Sequence, residues 1–332
     1  MNRKVVIRQP GGLDEIGVIE EAEPVPADGE AKIRILAAGA AYGDIMLRRG
    51  VTGGRFPVTP GYDLVGVIET VPPTSTFRVG DQVAALSGLG GQQTIICLPE
   101  HELVAVPPNV LPEKAVCVVL NYVTAYQLLV RSARLRRGNT AFIYGLAGGV
   151  GTAMQQIAGE LGIALYGTAS SGRLEAARRG GATVFNRDDP DWATLFDASL
   201  PGGVDAVFDP IGGANLYRSF ELLAPKGKLV VLGASSAVQG DGNAKLKIAG
   251  TLARIVTLKL RHGSRRTGVY HIERAKKAHH DEFREDLTTL LGWLAAGKID
   301  PVIDRVLPLA EARHAQELLE SSHVTGKIVL KP

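Results

Sequence analysis

Residues Thr140–Ala158 read TAFIYGLAGGVGTAMQQIA, and this stretch decides the fold. The apolar run Ala141–Tyr144 predicts a buried strand, and the apolar residues of Thr152–Leu161 recur at helical spacing. Four glycines between residues 145 and 151 connect the two elements. A dinucleotide-binding loop needs this context, because small residues let the backbone approach a pyrophosphate and N–H groups at the helix start face its charge. The stretch therefore predicts a dinucleotide-binding domain.

The glycine pattern alone leaves two interpretations open. Leu146 stands where a strict GxGxxG motif has its first glycine, if Gly148 and Gly151 are the second and third. A tight strand-to-helix turn in any α/β domain would look the same. The residues further along the chain help to distinguish a dinucleotide-binding loop from an ordinary turn.

The rest of the chain predicts two kinds of architecture. Up to about residue 110, short strand-like runs are separated by Pro, Gly and Asp turns. Two helices are expected at Glu113–Leu120 and Thr124–Ser132. From residue 141 to 232 strands alternate with helices, which indicates a parallel sheet with ligands at the carboxyl ends of its strands. An amphipathic helix is expected at Glu282–Ala296, and the basic stretch Arg261–His280 is expected to be a solvated surface or a loop.

Composition argues against several classes of protein. The 332 residues carry a net charge of +3, from 37 basic and 34 acidic residues, which is too balanced to favour a nucleic-acid or membrane partner. Two cysteines cannot form a disulfide framework or a four-cysteine zinc site. The N-terminus has no apolar signal region, and polar side chains interrupt the most apolar stretch. We therefore expect a soluble, cytoplasmic protein that acts on a small molecule.

Polar side chains at the end of the next predicted strand indicate the cofactor. A site selective for NAD would usually place a carboxylate there, to hold the ribose 2′-hydroxyl. The chain instead has Ser170, Ser171 and Arg173, with no carboxylate before Glu175. Hydroxyls and a guanidinium suit a 2′-phosphate, which favours NADPH, unless the serines only cap the following helix. Arg187, after the next strand, is a second candidate phosphate contact and is equally well explained as a surface residue.

Two further loops follow strands where the nicotinamide end of a cofactor would lie in a doubly wound sheet. They are residues 208–213 and the run Gly233, Ala234 and Ser235. The alternative for each loop is an ordinary turn between a strand and the next element.

Motifs across the whole chain carry a family resemblance. They are AGAAYGD at 38–44, PGYDLVG at 60–66, GDQV at 80–83, TAY at 124–126, AGGVG at 147–151 and GKIVL at 326–330. With them the chain resembles the medium-chain dehydrogenase/reductase superfamily, in particular its zinc-independent, zeta-crystallin-like quinone oxidoreductase branch. A residue other than glycine is common at the Leu146 position of that branch.

The resemblance implies a fold and a set of cofactor contacts. The fold is α/β, with a GroES-like β-barrel substrate domain at residues 1–118, completed by 261–332, and a Rossmann doubly wound parallel-sheet domain at 119–260 that binds NADPH. Family members are usually homodimers. The cofactor-binding positions that the resemblance adds are Asn121, Thr124, Gly148, Gly149 and Val150. Thr124 is also explained as a helix cap.

The resemblance also implies a site without a metal. Zinc-dependent relatives have Cys near position 41 and His-Glu after Gly61, whereas this chain has Ala41, Tyr62 and Asp63. Without sulfur or imidazole ligands a tetrahedral zinc site is not expected. Tyr42 and Tyr62 are then the candidate catalytic hydrogen-bond donors for a developing oxyanion, and the alternative for each is a packed aromatic wall.

Three functions follow as hypotheses. The first is an NADPH-dependent oxidoreductase that transfers hydride to a quinone or an α,β-unsaturated carbonyl without zinc. The second is an enoyl-thioester reductase or a biosynthetic tailoring enzyme of the same fold, and the third is a non-catalytic NADPH-binding protein. Two departures from the family bear on these hypotheses: both keep the non-catalytic protein open, and the second disfavours the enoyl-thioester reductase. Ala41 replaces a common Asn, and Thr52 replaces the tyrosine that enoyl-thioester reductases use as proton donor.

Overall fold

The computed structural model describes residues 1–237, 244–261 and 264–332, apart from the side chains of residues 245 and 261. Contacts within the chain divide it into two compact units. The first unit comprises Met1–Val123 and Asp281–Pro332, and the second comprises Thr124–His280. The sequence predicted a second domain that ends at residue 260, whereas the second unit continues to His280.

The strands of the first unit are short. Their bounds are β1 Asn2–Ile7, β2 Ile16–Glu21, β3 Glu30–Ala40, β4 Asp63–Thr70, β5 Gln82–Leu86, β6 Ile95–Pro99, β7 Val104–Ala105, β14 Ile303–Pro308 and β15 Lys327–Lys331. β1 pairs with β2, and the others form a seven-stranded sheet in the order β14-β15-β3-β4-β5-β7, with β6 also paired to β3. These pairings are antiparallel except that of β14 with β15.

One hydrophobic core serves both segments of the first unit. Alternate residues of β3, namely Ala31, Ile33 and Ile35, are buried, as the two-residue period of a strand requires. They belong to the same buried cluster as Leu64 of β4 and Leu330 of β15. Burying these side chains from water is what joins the C-terminal strand to the N-terminal segment.

Four helices belong to this part of the chain: α1 Tyr42–Arg48, α2 Pro112–Cys117, α10 His280–Ala295 and α11 Ala312–Glu320. The buried guanidinium of Arg48 ties α1 to α11. It donates to Gln316 Oε1 at 2.8 Å, to Glu320 Oε1 at 2.6 Å and to the carbonyl of Gly11 at 2.9 Å. These bonds fix the helix that begins at Tyr42.

One helix is longer than the sequence predicted. α2 continues through a π-helical turn at Val118–Tyr122, through α3 Val123–Tyr126, and through a second π-helical turn at Gln127–Ser132. The expectation of two separate helices is therefore wrong, because the backbone runs on as one helix, Pro112–Ser132. Among the described residues, this is the one helix long and apolar enough to cross a membrane by length and composition, and 72% of its apolar window is buried inside the protein, as in a core helix.

The second unit contains the predicted parallel sheet. Its strands are β8 Thr140–Tyr144, β9 Ala164–Ala169, β10 Thr183–Asn186, β11 Val204–Asp209, β12 Leu223–Val231 and β13 Arg266–Val269. Its helices are α4 Gly149–Leu161, α5 Leu174–Arg178, α6 Trp192–Ser199, α7 Asn215–Glu221, α8 Ala244–Arg261 and α9 Ile272–Ala278. All pairings are parallel, in the order β10-β9-β8-β11-β12-β13. The strand order reverses beside β8, where a doubly wound sheet binds its ligand.

The basic stretch Arg261–His280 is not a loop. Its residues Arg266–Val269 form β13, which pairs with β12 from Lys228 onward, and α9 follows. The loop half of the expectation is wrong because backbone pairing holds Arg266–Val269, whereas the exposed side chains of Arg266 and Val269 agree with the other half, a solvated surface. His262 and Gly263 lie outside the described residues.

Candidate functional site

A glycine turn connects β8 to α4 at the carboxyl edge of the parallel sheet. Gly145 has a φ of 82°, a left-handed conformation that favours glycine, and its N–H donates to the carbonyl of Thr168 at 3.0 Å. A Cβ on Gly151 would lie 2.3 Å from the carbonyl oxygen of Gly145, so only glycine permits this close approach. Gly148 precedes α4 and offers no capping side chain, which leaves the first N–H groups of the helix to an anion.

Leu146 turns its side chain into the interior. It is fully buried, and a Cβ on Gly167 of β9 would lie 2.8 Å from its Cγ. The leucine therefore packs over Gly167, and the loop does not require glycine at position 146. The remaining glycines form a cradle that Cβ atoms would fill, which fits the phosphates of a dinucleotide.

The serines after β9 do not cap a helix through their side chains. Ser170 stands at the N-cap of a short 3₁₀ helix, but its hydroxyl makes no capping hydrogen bond within the described residues. It accepts instead from Nε of Arg173 at 3.2 Å. Arg187 continues the pairing of β10 with β9, since its N–H donates to the carbonyl of Ala169 at 2.9 Å. The structure thus brings Ser170, Arg173 and Arg187 to the ends of two neighbouring strands.

The two arginines place positive charge beside this serine. Arg173 is partly buried, and burial together with the nearby Arg187 lowers the pKa of its guanidinium, while Asp188 opposes that shift. Burial and the like charge of Arg187 both disfavour the charged form of Arg173. A phosphate between them would relieve the repulsion and accept charge-assisted hydrogen bonds.

Asp188 is a residue at this site that sequence reasoning missed. Its Oδ2 accepts from the N–H of Ser171 at 2.8 Å and from the Ser171 hydroxyl at 2.6 Å. The sequence after β9 has no carboxylate before Glu175, whereas Asp188 follows the neighbouring strand β10. The signal in the sequence is the pair of aspartates after Arg187, and strand order is needed to place it.

A buried aspartate organises the loop after β11, on the other side of β8. Oδ1 of Asp209 accepts the N–H groups of Ile211 at 2.7 Å and of Gly212 at 2.8 Å. Its Oδ2 accepts from the hydroxyl of Ser219 at 2.6 Å. The carboxylate is completely buried, so these bonds replace the water that it loses on folding.

The loop after β12 packs on the loop that Asp209 organises. The N–H of Ser235 donates to the carbonyl of Pro210 at 3.1 Å, and a Cβ on Gly233 would lie 2.8 Å from the same oxygen. Gly233, Ala234 and Ser235 therefore lie at the same sheet edge as the glycine turn. Their contact with a cofactor stays a prediction.

Asn121 and Thr124 lie one turn apart on the helix Pro112–Ser132. Their exposed fractions are only 8% and 6%. Thr124 cannot cap this helix, because the helix begins at Pro112 and is continuous through position 124. The alternative interpretation of Thr124 as a cap is therefore wrong.

The ring of Tyr62 lies against the residue that follows Tyr42 in the first unit. A Cβ on Gly43, the residue after Tyr42, would lie 2.6 Å from a ring carbon of Tyr62 and 2.8 Å from its hydroxyl oxygen. The Tyr62 ring therefore lies against the start of α1, where glycine leaves room for it. Both tyrosines are half-buried. Partial burial raises the pKa of Tyr42, and the charged groups that act on its hydroxyl are Arg49, which lowers the pKa, and Glu320, which raises it.

Asp44 holds the segments around the two tyrosines. Its completely buried carboxylate accepts the N–H of Ala41 at 2.9 Å, the N–H of Gly61 at 3.0 Å and the side-chain amide of Gln92 at 3.1 Å. Burial raises the pKa of Asp44 to about 6, against the two backbone hydrogen bonds, which lower it. Ala41 and Gly61 directly precede Tyr42 and Tyr62, so this carboxylate positions both.

A buried ion pair follows Tyr62. Asp63 accepts from Nζ of Lys327 at 2.7 Å, and the exposed fractions of the two side chains are 0% and 2%. Burial raises the pKa of Asp63, and the ammonium of Lys327 opposes that shift.

Comparison with known families matches both units. The profile described as an alcohol dehydrogenase GroES-like domain matches residues 27–108, and the profile described as a zinc-binding dehydrogenase matches residues 180–330. Together they match well over half of the chain. The chain belongs to the medium-chain dehydrogenase/reductase superfamily. The predicted fold, a GroES-like domain with a Rossmann-type parallel sheet, is confirmed.

Several known proteins resemble this chain over nearly its whole length. The synaptic vesicle membrane protein VAT-1 homolog of Danio rerio is 29% identical, and the match covers 99% of this chain and 69% of that protein. The quinone oxidoreductase of Pongo abelii is 27% identical, with 99% and 97% covered. The crystal structure of Escherichia coli quinone oxidoreductase complexed with NADPH superposes with a TM-score of 0.89 at 24% identity, covering 99% of this chain and 100% of that one, and shows the shared fold.

Proposed function

We propose that this chain is an NADPH-dependent oxidoreductase that reduces a quinone or an α,β-unsaturated carbonyl compound without zinc. Membership of an oxidoreductase superfamily supports the general class. The observation that carries the finer proposal is the buried pair of Asp63 and Lys327 next to Tyr62. Tyr62 and Asp63 stand where the zinc-dependent relatives have His-Glu.

The donor atoms around this position do not fit zinc. Ala41 offers no ligand atom, and the carboxylate of Asp63 is neutralised by an ammonium group 2.7 Å away. Zinc prefers thiolate, imidazole and carboxylate ligands in tetrahedral arrangement. Burial raises the pKa of the Cys117 thiol to about 12, so it is not a ready thiolate, and the Cys97 thiol contacts the carbonyl of Pro24 at 3.7 Å.

This donor set favours an acceptor that is already electrophilic. A zinc alcohol dehydrogenase uses its metal to polarise a carbonyl group. Quinones and enones need less activation, because conjugation spreads the charge that develops when hydride arrives. The protein then has to position the acceptor and donate hydrogen bonds to its oxygen.

Tyr42 and Tyr62 are the proposed donors to that oxygen. Gly43 leaves room for the Tyr62 ring beside the start of α1, and Asp44 fixes the backbone before each tyrosine. Tyr42 is protonated at neutral pH, as a phenol ordinarily is, and can therefore donate a hydrogen bond. A protonated phenol can stabilise an oxyanion and then release its proton to it.

The second unit supports NADPH as the cofactor. Ser170, Arg173 and Arg187 form a cationic group at the end of β9, and the glycine turn leaves N–H groups for the pyrophosphate. When bound, NADPH supplies hydride for the acceptor. The crystal structure of Escherichia coli quinone oxidoreductase in complex with NADPH supports the same choice.

The test is a panel of acceptors assayed by the loss of the near-ultraviolet absorbance of NADPH. We expect turnover with simple quinones or enones, and a loss of about tenfold or more in kcat for Tyr42→Phe, since one oxyanion donor is typically worth that much. Tyr217→Phe, at an exposed tyrosine of α7, is the matched control. Turnover of acyl thioesters alone would favour the enoyl-thioester reductase, and tight NADPH binding without any turnover would favour the non-catalytic protein.

A further inference from the structure

Asp188 binds both donors of Ser171, at the strand end where the ribose of the cofactor is expected. Oδ2 of Asp188 is 2.8 Å from the backbone nitrogen of Ser171 and 2.6 Å from its hydroxyl oxygen. The loop is held in this arrangement from its other side, because Oδ1 of Asn186 accepts the N–H of Asp188 at 3.1 Å. A second hydrogen bond thus holds the backbone of the loop after β10 at Asp188.

The N–H and the hydroxyl of Ser171 are also the donors that a bound 2′-phosphate would use. An N–H and a hydroxyl at the end of β9 suit phosphate oxygens, but a carboxylate already accepts from both. The Ser171 hydrogen bonds hold the pKa of Asp188 below its ordinary value, so this group is negatively charged at neutral pH. Two anions on one pair of donors repel each other.

The neighbouring cations are divided between two roles. Nε of Arg187 lies 3.4 Å from Oδ1 of Asp188, whereas Nε of Arg173 donates to Ser170 at 3.2 Å. Arg173 therefore hydrogen-bonds to Ser170, and Arg187 pairs with the carboxylate, whose charge also acts to raise the pKa of Arg173. A ribose with a free 2′-hydroxyl could donate to this carboxylate, which is the usual way in which NAD-selective sites hold it.

We propose that Asp188 is a specificity-determining residue that weakens binding of the 2′-phosphate by holding the donors of Ser171, so that the site discriminates only modestly between NADPH and NADH. The proposal rests on the proposed cofactor site. In the free protein Ser171 then donates to the carboxylate of Asp188. Ser170 and Arg173 remain as the groups that attract the 2′-phosphate.

The test measures binding of two nucleotides that differ only in the 2′-phosphate, adenosine 2′,5′-bisphosphate and adenosine 5′-monophosphate, by isothermal titration calorimetry. Asp188→Asn removes the charge and keeps an oxygen that can accept from Ser171. We expect this variant to bind the bisphosphate about tenfold more tightly than the unmodified protein, with no gain for the monophosphate. The gain should shrink as salt is raised, because the site is exposed.

Asp189→Asn is the matched control. It removes the same charge one residue along, where Oδ1 of Asp189 accepts the N–H of Asp191 at 2.9 Å instead of contacting Ser171. We expect less than a twofold change for either nucleotide, roughly the limit of the method. Equal gains in the two variants, or no gain in Asp188→Asn while the unmodified protein binds both nucleotides, would overturn the role of Asp188 alone. If the unmodified protein binds neither nucleotide, the proposed cofactor site is overturned with it.

Discussion

Oδ2 of Asp63 lies 2.7 Å from Nζ of Lys327, although 264 residues separate them in the chain. The two side chains come from β4 and β15, which flank β3, and they meet over Gly39 of β3. A Cβ on Gly39 would lie 2.2 Å from Oδ1 of Asp63 and 2.5 Å from Nζ of Lys327. The ion pair therefore depends on a glycine in the strand between its partners.

Replacing Lys327 by methionine should destabilise the first unit by roughly 3–5 kcal/mol, because it leaves the Asp63 carboxylate buried without its counter-ion. The double variant Asp63→Asn, Lys327→Met should recover a large part of that loss. The measurement is the free energy of unfolding from urea denaturation. A double variant that is as unstable as the single one would mean that the charge of Asp63 is not the cause.

Gly39→Ala should cost about 1–3 kcal/mol of stability, the usual range for overpacking, since the new methyl group must push the ion pair apart. Gly17→Ala is the control, because it is also in a strand and a Cβ there meets nothing within 4 Å. Thermal unfolding of the two variants compares them directly. Equal midpoints would show that the sheet accommodates a side chain at position 39.

The buried Asp44 should make stability depend on pH. Its pKa in the folded protein, about 6, lies above the ordinary value of 3.8, so the folded state holds the proton more tightly than the unfolded state. Its contribution is fully present below the ordinary pKa and is lost as pH rises through about 6. Between pH 4 and pH 7 the stability of Asp44→Asn relative to the unmodified protein should rise by up to about 3 kcal/mol.

Denaturation with urea at both pH values measures this difference, and Asp28→Asn, at an exposed aspartate before β3, is its control. The variant also loses an acceptor for the N–H groups of Ala41 and Gly61, so its absolute stability can be lower at both pH values. The pH dependence is the decisive quantity. A constant difference between variant and unmodified protein would contradict the raised pKa of Asp44.

Arg173→Ala should weaken NADPH binding by about tenfold to a hundredfold, the usual worth of a charge-assisted hydrogen bond, and should change NADH binding much less. Arg178→Ala, at an exposed arginine of α5, is the control. Titrations followed by nicotinamide fluorescence give both dissociation constants. Equal losses for NADPH and NADH would remove Arg173 from the phosphate site.

The cofactor-binding half of the fold was largely predictable from local sequence. The apolar run before Gly145 and the helical spacing after it identify β8 and α4, and repeated alternation identifies the sheet. The strand β13 was not predictable, because Arg266–Val269 is short and polar and is held by its pairing with β12. Likewise, nothing near position 118 indicates that the helix from Pro112 continues through π-helical turns.

Site residues that belong to one motif were predictable from the sequence. Site residues that come together from distant segments of the chain were not. Ser170 and Arg173 follow one strand and could be found together. Asp188 contacts Ser171 from 17 residues away, and its position follows only from the order of β9 and β10. Lys327 belongs to a motif at the end of the chain, and only the folded sheet shows that it neutralises Asp63.

The most direct test of the central claim is NADPH oxidation by protein freed of metal. The protein is treated with a strong chelator, its zinc content is measured by elemental analysis, and turnover is assayed with the best quinone or enone of the panel. We predict the same kcat before and after treatment, with far less than one zinc per chain. A loss of turnover on chelation that added zinc restores would contradict the proposal that Tyr42, Tyr62 and the Asp63–Lys327 pair define a zinc-free reductase.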